Sequence, residues 1–160
     1  YSTAFIKKAE TVTDANGHFN IKFEQGDAVN YRLEFHKEKY FFYSLELNSN
    51  DIRPDIPYEK DIKIMPEANV KVCLINKNWF NERDVITIST FAPASNCDCC
   101  KNQTYTFTGL ADTSFTCLLY GPNDYKLTWT AKRENHNNAG PIMKTFFCPA
   151  LETTVFEIEY

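Results

Sequence analysis

The chain predicts an all-β protein built as two tandem β-sandwich domains, residues 1–66 and 67–160. Three observations carry this reading. Apolar residues alternate with polar ones through most of the chain, the period of a strand with one face in a core. Turn-forming residues separate the alternating runs at short intervals. No window sustains the 3.6-residue period of an amphipathic helix. Aromatic residues make up 15% of the 160 positions, with 13 Phe and 9 Tyr. They favour strands and supply large buried area.

The elements follow in order. Thr11-Val12-Thr13-Asp14-Ala15-Asn16-Gly17-His18-Phe19-Asn20-Ile21 reads as strand, turn, strand. Asn16-Gly17 tolerates positive φ, and the Asp14 carboxylate can bond the backbone ahead of it. Phe19, Ile21 and Phe23 share one face. Gln25-Gly26-Asp27 turns the chain, and Val29, Tyr31, Leu33 and Phe35 form the next apolar face. After His36-Lys37-Glu38-Lys39, a strand starting at Tyr40 puts Phe41, Tyr43, Leu45 and Leu47 on one side and Tyr40 and Phe42 on the other. Asn48 to Pro57 is a polar loop, Ile62 and Ile64 mark a short strand, and the domain boundary falls near Pro66. In the second half, Val70/Val72/Leu74, the β-branched run Asp84 to Phe91, Tyr105 to Thr108, Phe115/Cys117/Leu119, Leu127/Trp129/Ala131, Ile142 to Cys148 and Phe156/Ile158/Tyr160 each read as strands. Gly121-Pro122-Asn123-Asp124 is a turn, and Glu134 to Pro141 is a polar loop.

The stretch Thr11–Ile21, with its Thr-Asp-x-x-Gly-x-Phe turn, resembles the carboxypeptidase regulatory-like domain, a small transthyretin-like β-sandwich. That resemblance covers about residues 1 to 66. The family follows its turn with a strand and a segment like Lys-x-Gly-Tyr, where this chain has Lys37-Glu38-Lys39-Tyr40, so Lys39 stands in the place of the glycine. The family also carries a strand or two before the turn. Here Tyr1–Lys8 supplies one, or the first strand is missing and leaves a sheet edge that can pair with another chain. In envelope proteins such domains act as spacers, docking modules or binding modules, which is what the resemblance implies for function. By patterning, the second half is similar to an immunoglobulin-like sandwich.

Composition narrows the function classes. The formal net charge is −4 and the longest basic runs are the pairs Lys7-Lys8 and Lys132-Arg133. No basic stripe can neutralise several phosphates, so nucleic acid is not expected as a partner. No apolar run reaches the length of a membrane span. The opening Tyr1-Ser2-Thr3 reads as the start of a mature or truncated fragment. Six cysteines, Cys73, Cys97, Cys99, Cys100, Cys117 and Cys148, fit either an exported domain with a few disulfides or buried free thiols.

Each chemical motif has a plainer alternative. Cys97, Cys99 and Cys100 could hold a soft metal through thiolates, but the spacing is wrong for a zinc knuckle and no histidine cluster accompanies them. A loop tied by disulfides suits Asn96-Cys97-Asp98-Cys99-Cys100 better. Cys117 and Cys148 flank Trp129 and are a candidate disulfide, with two buried thiols as the alternative, and Cys73 is a candidate partner for a loop cysteine. A Cys148–His136 nucleophile pair lacks an orienting third group. Asp14 to Gln25 fails as a calcium loop, since Phe19 and Gln25 occupy the positions that need Gly and Glu. Asn102-Gln103-Thr104 matches the glycosylation acceptor pattern. Tyr40, Phe42 and Trp79, the last at a turn between strands, are candidate ligand-stacking rings, with packing between the domains as the alternative.

The expected function is a non-catalytic binding or structural module of an exported protein, in the periplasm, at the cell surface or outside the cell, with no cofactor. It would meet a protein or a glycan through loops or a sheet edge, and that edge also allows self-association. A metal-handling protein using the Cys97–Cys100 loop and a carbohydrate-binding module using exposed rings are the alternatives.

Overall fold

The computed structural model describes residues 5–90, 100, 103–134 and 140–160. The fold is all-β, as the alternation predicts. Nine strands form three sheets among the described residues, and the one helical element is a single 3-10 turn at Ser49–Asp51. The chain divides into two compact units. The first comprises Tyr1–His36 and Phe42–Lys63, the second Lys37–Phe41 and Ile64–Tyr160.

In the first unit, β1 (Asn30–Phe35) pairs antiparallel with β2 (Tyr43–Asn48). Register places Tyr31 opposite Leu47, Leu33 opposite Leu45 and Phe35 opposite Tyr43, so one face is apolar. On the other face Arg32 donates to Glu46 from Nη2 at 2.6 Å, and the Phe5 ring lies 3.9 Å from the Arg32 guanidinium. The turn before this sheet forms as its residues dictate. Asp14 Oδ1 accepts from the amides of Asn16 and His18, both at 2.9 Å, and Gly17 takes φ +83°. The Phe19–Phe23 segment departs from expectation. Its burial alternates, with Phe19, Ile21 and Phe23 half-buried and Asn20 and Lys22 exposed. The Phe19 ring sits 5.7 Å from Phe35 and the Phe23 ring 4.9 Å from Tyr31, so the segment runs antiparallel beside β1. It makes no ladder with β1, and no strand is formed there or at Ile62–Ile64. The strand expected from Tyr40 begins at Tyr43 instead.

The second unit is a β-sandwich. A three-stranded sheet has the order β6-β3-β9, from β3 (Glu67–Ile75), β6 (Thr113–Tyr120) and β9 (Thr153–Glu159). A four-stranded sheet has the order β5-β4-β7-β8, from β4 (Val85–Thr90), β5 (Thr104–Thr108), β7 (Asn123–Lys132) and β8 (Ile142–Cys148). All neighbours are antiparallel except β3 and β9, which run parallel. Both sheets feed one core. Ala68, Val70, Val72, Leu74, Cys117, Leu119 and Ile158 come from the first sheet, and Ile86, Ile88, Tyr125, Leu127, Trp129 and Cys148 from the second. Each fully buried aliphatic side chain contributes about 1.5–3 kcal/mol relative to exposure.

Strand allocation differs from the immunoglobulin arrangement expected for this half. That arrangement keeps the first, second, fourth and fifth strands in one sheet and the third, sixth and seventh in the other. Counted in chain order among the described residues, the fourth, first and seventh strands of this unit lie together, facing the third, second, fifth and sixth. Alternation fixes which side of a strand is apolar, and it is blind to which sheet the strand joins.

The strap Lys37–Phe41 belongs to this second unit. Tyr40 bridges Pro66, the Phe41 amide donates to the Met65 carbonyl, and the Glu67 amide donates to the Lys39 carbonyl at 2.8 Å. The Phe41 ring packs edge-on against Tyr120 at 4.4 Å. Lys39 adopts φ +62°, the left-handed conformation that the glycine of the resembling motif would take without strain.

Candidate functional site

Register brings the β3–β4 loop, the β5–β6 turn and the ends of β7 and β9 to one end of the sandwich. Leu74 lies opposite Thr113, Ile75 beside Glu159, and Val85 between Thr108 and Lys132. The loop is built around Asp84, which is 1% exposed. Its Oδ2 accepts from the Phe80 amide at 2.9 Å, its amide donates to the Asn81 carbonyl, and its carbonyl accepts from the Gly109 amide at 2.8 Å. Asp84 Oδ1 finds no hydrogen-bond partner among the described residues. Gly109 suits its place because φ is +70°, a left-handed conformation that L-residues rarely adopt.

Further contacts brace the same loop. Asn81 Oδ1 accepts from the Arg83 amide, and Asn81 Nδ2 donates to Glu134 Oε2. Arg83 forms an ion pair with Glu134, and Lys77 forms one with Glu159. The Asn78 amide donates to the Tyr160 carbonyl, and buried Asn76 donates to the Gly109 carbonyl. The Tyr160 hydroxyl donates to the Ala111 carbonyl. Burial pushes its pKa up, and the Asp84 charge adds to that rise. Out of this frame project Trp79, 48% exposed, Phe80, 47% exposed, and, from the neighbouring turn, Leu110, 61% exposed. Large apolar side chains on a braced loop would lose little freedom on contact.

The other candidate residues are dispersed. Tyr40 is half-buried in the strap, with Lys37 Nζ 4.0 Å above its ring. Phe42 belongs to the first unit, where it is exposed and lies 4.9 Å from the His36 ring. Cys97, Cys99, Asn102 and His136 lie outside the described residues.

The pairing of Cys117 with Cys148 is corrected. Cys117 bonds Cys100, with Cα atoms 5.4 Å apart, and Cys148 is a buried free thiol. The Cys100 amide donates to the Leu118 carbonyl, which holds Cys100 against β6, whereas Cys148 ends β8 at the edge of the opposite sheet. The bond also takes Cys100 out of any thiolate ligand set. Cys73, proposed as the partner of a loop cysteine, is free. Burial raises the Cys148 pKa and holds that thiol protonated, which opposes a nucleophilic role. Among the described residues, no three His, Cys, Asp or Glu side chains gather as a metal site would require.

Sequence reasoning identified Trp79 but missed Asp84 and Gly109. A short acidic residue directly before a β-branched run, with Asn81 three positions earlier, was the available sign of a side-chain-capped turn. Tyr125 was missed as well. Its hydroxyl donates to the Tyr120 carbonyl at 2.7 Å across the Gly121-Pro122 connection, and burial raises its pKa to about 12.

Comparison with known proteins gives no assignment: no protein-family model matches the chain, and no curated protein matches it. No helix among the described residues is long and apolar enough to cross a membrane. The Cys100–Cys117 disulfide is compatible with an oxidising compartment.

Proposed function

We propose that the chain is a non-catalytic binding module of an exported or cell-envelope protein, and that it binds through the loop end of its second unit. The reading rests chiefly on one observation: Trp79 and Phe80 stand out from a loop whose backbone is fixed by the buried Asp84 carboxylate. Rings held this way are typical contact anchors, since they offer large area at low entropic cost. The disulfide supports placement in an exported protein.

The test uses the full chain, immobilised neutral and anionic polysaccharides, and a randomised displayed-peptide library. Retention by at least one of these is expected, with loss on Trp79→Ala and weakening on Leu110→Ser. Retention by none of them, or retention indifferent to both substitutions, would overturn the reading.

A further inference from the structure

Resting on the loop-end reading, we infer that the ligand class taken at Trp79 is a neutral glycan. Two cations near the rings are matched within the protein, Arg83 with Glu134 and Lys77 with Glu159, while the exposed Glu82 carboxylate lies beside Gly109 and adds negative charge. Asp84 is buried beneath the loop. A polyanion would meet the Glu82 charge and find both cations already paired, so the surface offers it little electrostatic attraction.

The paired groups still have capacity for neutral partners. A carboxylate carries about four acceptor sites and a guanidinium five donors, so one mutual contact leaves several free. Asn78 and Asn81 add amide groups beside the rings, and Glu82 lies between Asn81 and Arg83 in the loop. A pyranose ring matches this set. Its C–H face is apolar and flat enough to lie on an indole, and its hydroxyls both donate and accept around the perimeter.

The loop's rigidity bears on affinity. Asp84 fixes Phe80, the Tyr160 carbonyl fixes Asn78, and Trp79 is held between them. A sugar that stacks there does not have to order the loop first.

The experiment is native electrophoresis of the full chain through gels containing a soluble β-glucan, a xylan or a mannan, with titration calorimetry on the matching hexasaccharide. We expect retardation by at least one neutral polysaccharide and persistence in about 0.5 M NaCl, because no charge pairing is being screened. Trp79→Ala should weaken binding at least about tenfold, and Trp79→Phe should lose less. Unchanged far-ultraviolet circular dichroism and an unchanged denaturation midpoint would show that both variants fold. Met143→Ser, on β8 and away from the loop end, should bind as the parent does. Absence of retardation by all three polysaccharides, or retardation that Trp79→Ala leaves intact, would overturn the inference. If displayed peptides bind through Trp79 while no neutral polysaccharide does, the glycan assignment falls and the loop-end reading stands. If displayed peptides, neutral polysaccharides and anionic polysaccharides all fail to bind, both fall.

Discussion

The two units are written in the same alternating style, yet they bury it to different depths. In the first, Tyr31 and Leu47 are the buried apolar side chains among the described residues, while Phe5, Ile6, Val12, Val29, Phe42 and Ile56 are well exposed. In the second, a continuous core runs from Ala68 to Tyr160 and includes Leu74, Ile86 and Ile88 at 0% exposure. The difference is one of layers. Alternation gives a sheet an apolar face, but burial requires a second layer against it. The second unit supplies an opposing sheet. The described residues of the first supply two strands, with rings laid on them by segments that form no ladder, and a two-stranded sheet is marginal on its own.

The strongest way to break this comparison is to remove matched side chains. Leu74→Ala should cost about 2–5 kcal/mol, as expected for a sealed core. Leu45→Ala, at a half-buried position in β2, should cost about 1 kcal/mol. Denaturant midpoints of the two variants measure the contrast, and equal losses would show that the first unit is packed as tightly as the second. Next in size is the disulfide, which ties only the second unit. Its ends are separated by 17 residues, so Cys100→Ser with Cys117→Ser should lower stability by about 3 kcal/mol. Trp79 and Trp129 are the chain's two tryptophans and both belong to the second unit, so their fluorescence should follow this loss.

A smaller effect concerns alkaline pH. The fold holds Tyr125 neutral and raises its pKa from 10.0 to about 12. The raised value means that its contribution is complete below pH 10 and is lost as pH rises through 12. The loss should be on the order of 2 kcal/mol. Tyr125→Phe should flatten that decline while costing about 1 kcal/mol at neutral pH for the missing bond to Tyr120. Urea titrations at a series of pH values decide this, and an unaltered alkaline decline in the variant would refute it. The smallest expected change is a gain. Lys39→Gly relieves a left-handed backbone that costs an L-residue about 1–2 kcal/mol, against about 0.5–1 kcal/mol of added chain entropy in the unfolded state. A rise in midpoint worth about 0.5–1 kcal/mol is expected, and a fall would show that the added chain entropy outweighs the strain.

Much of the fold was legible because alternation is a local signal. Val70/Val72/Leu74 and Leu127/Trp129 announce their buried face directly. The Asp14–Gly17 turn was legible for the same reason, since its bonds span only a few residues. What stayed hidden depends on partners distant in sequence. The pairing of Cys117 with Cys100 follows from how the chain returns to β6, and cysteine spacing does not encode that return. Phe19–Phe23 carries the pattern of a strand and reaches the right neighbour, but ladder formation depends on how closely the backbones approach, which a pattern of side chains does not specify. At the candidate site, exposure of Trp79 was suggested by its position in a turn. The buried carboxylate that fixes its neighbour was invisible, because Asp84 on paper looks like any polar loop residue.

The strap Lys37–Phe41 has a practical consequence. The backbone crosses from one unit to the other after His36, after Phe41 and after Lys63. A protease that nicks the chain once, near residue 64, therefore leaves the two pieces noncovalently joined through Tyr40 and Lys39. Expressing 67–160 alone would deprive Glu67 of its amide acceptor and Tyr120 of its aromatic cover. A version of the second unit meant to stand alone needs the strap grafted back on, with its connection to Ile64 redesigned.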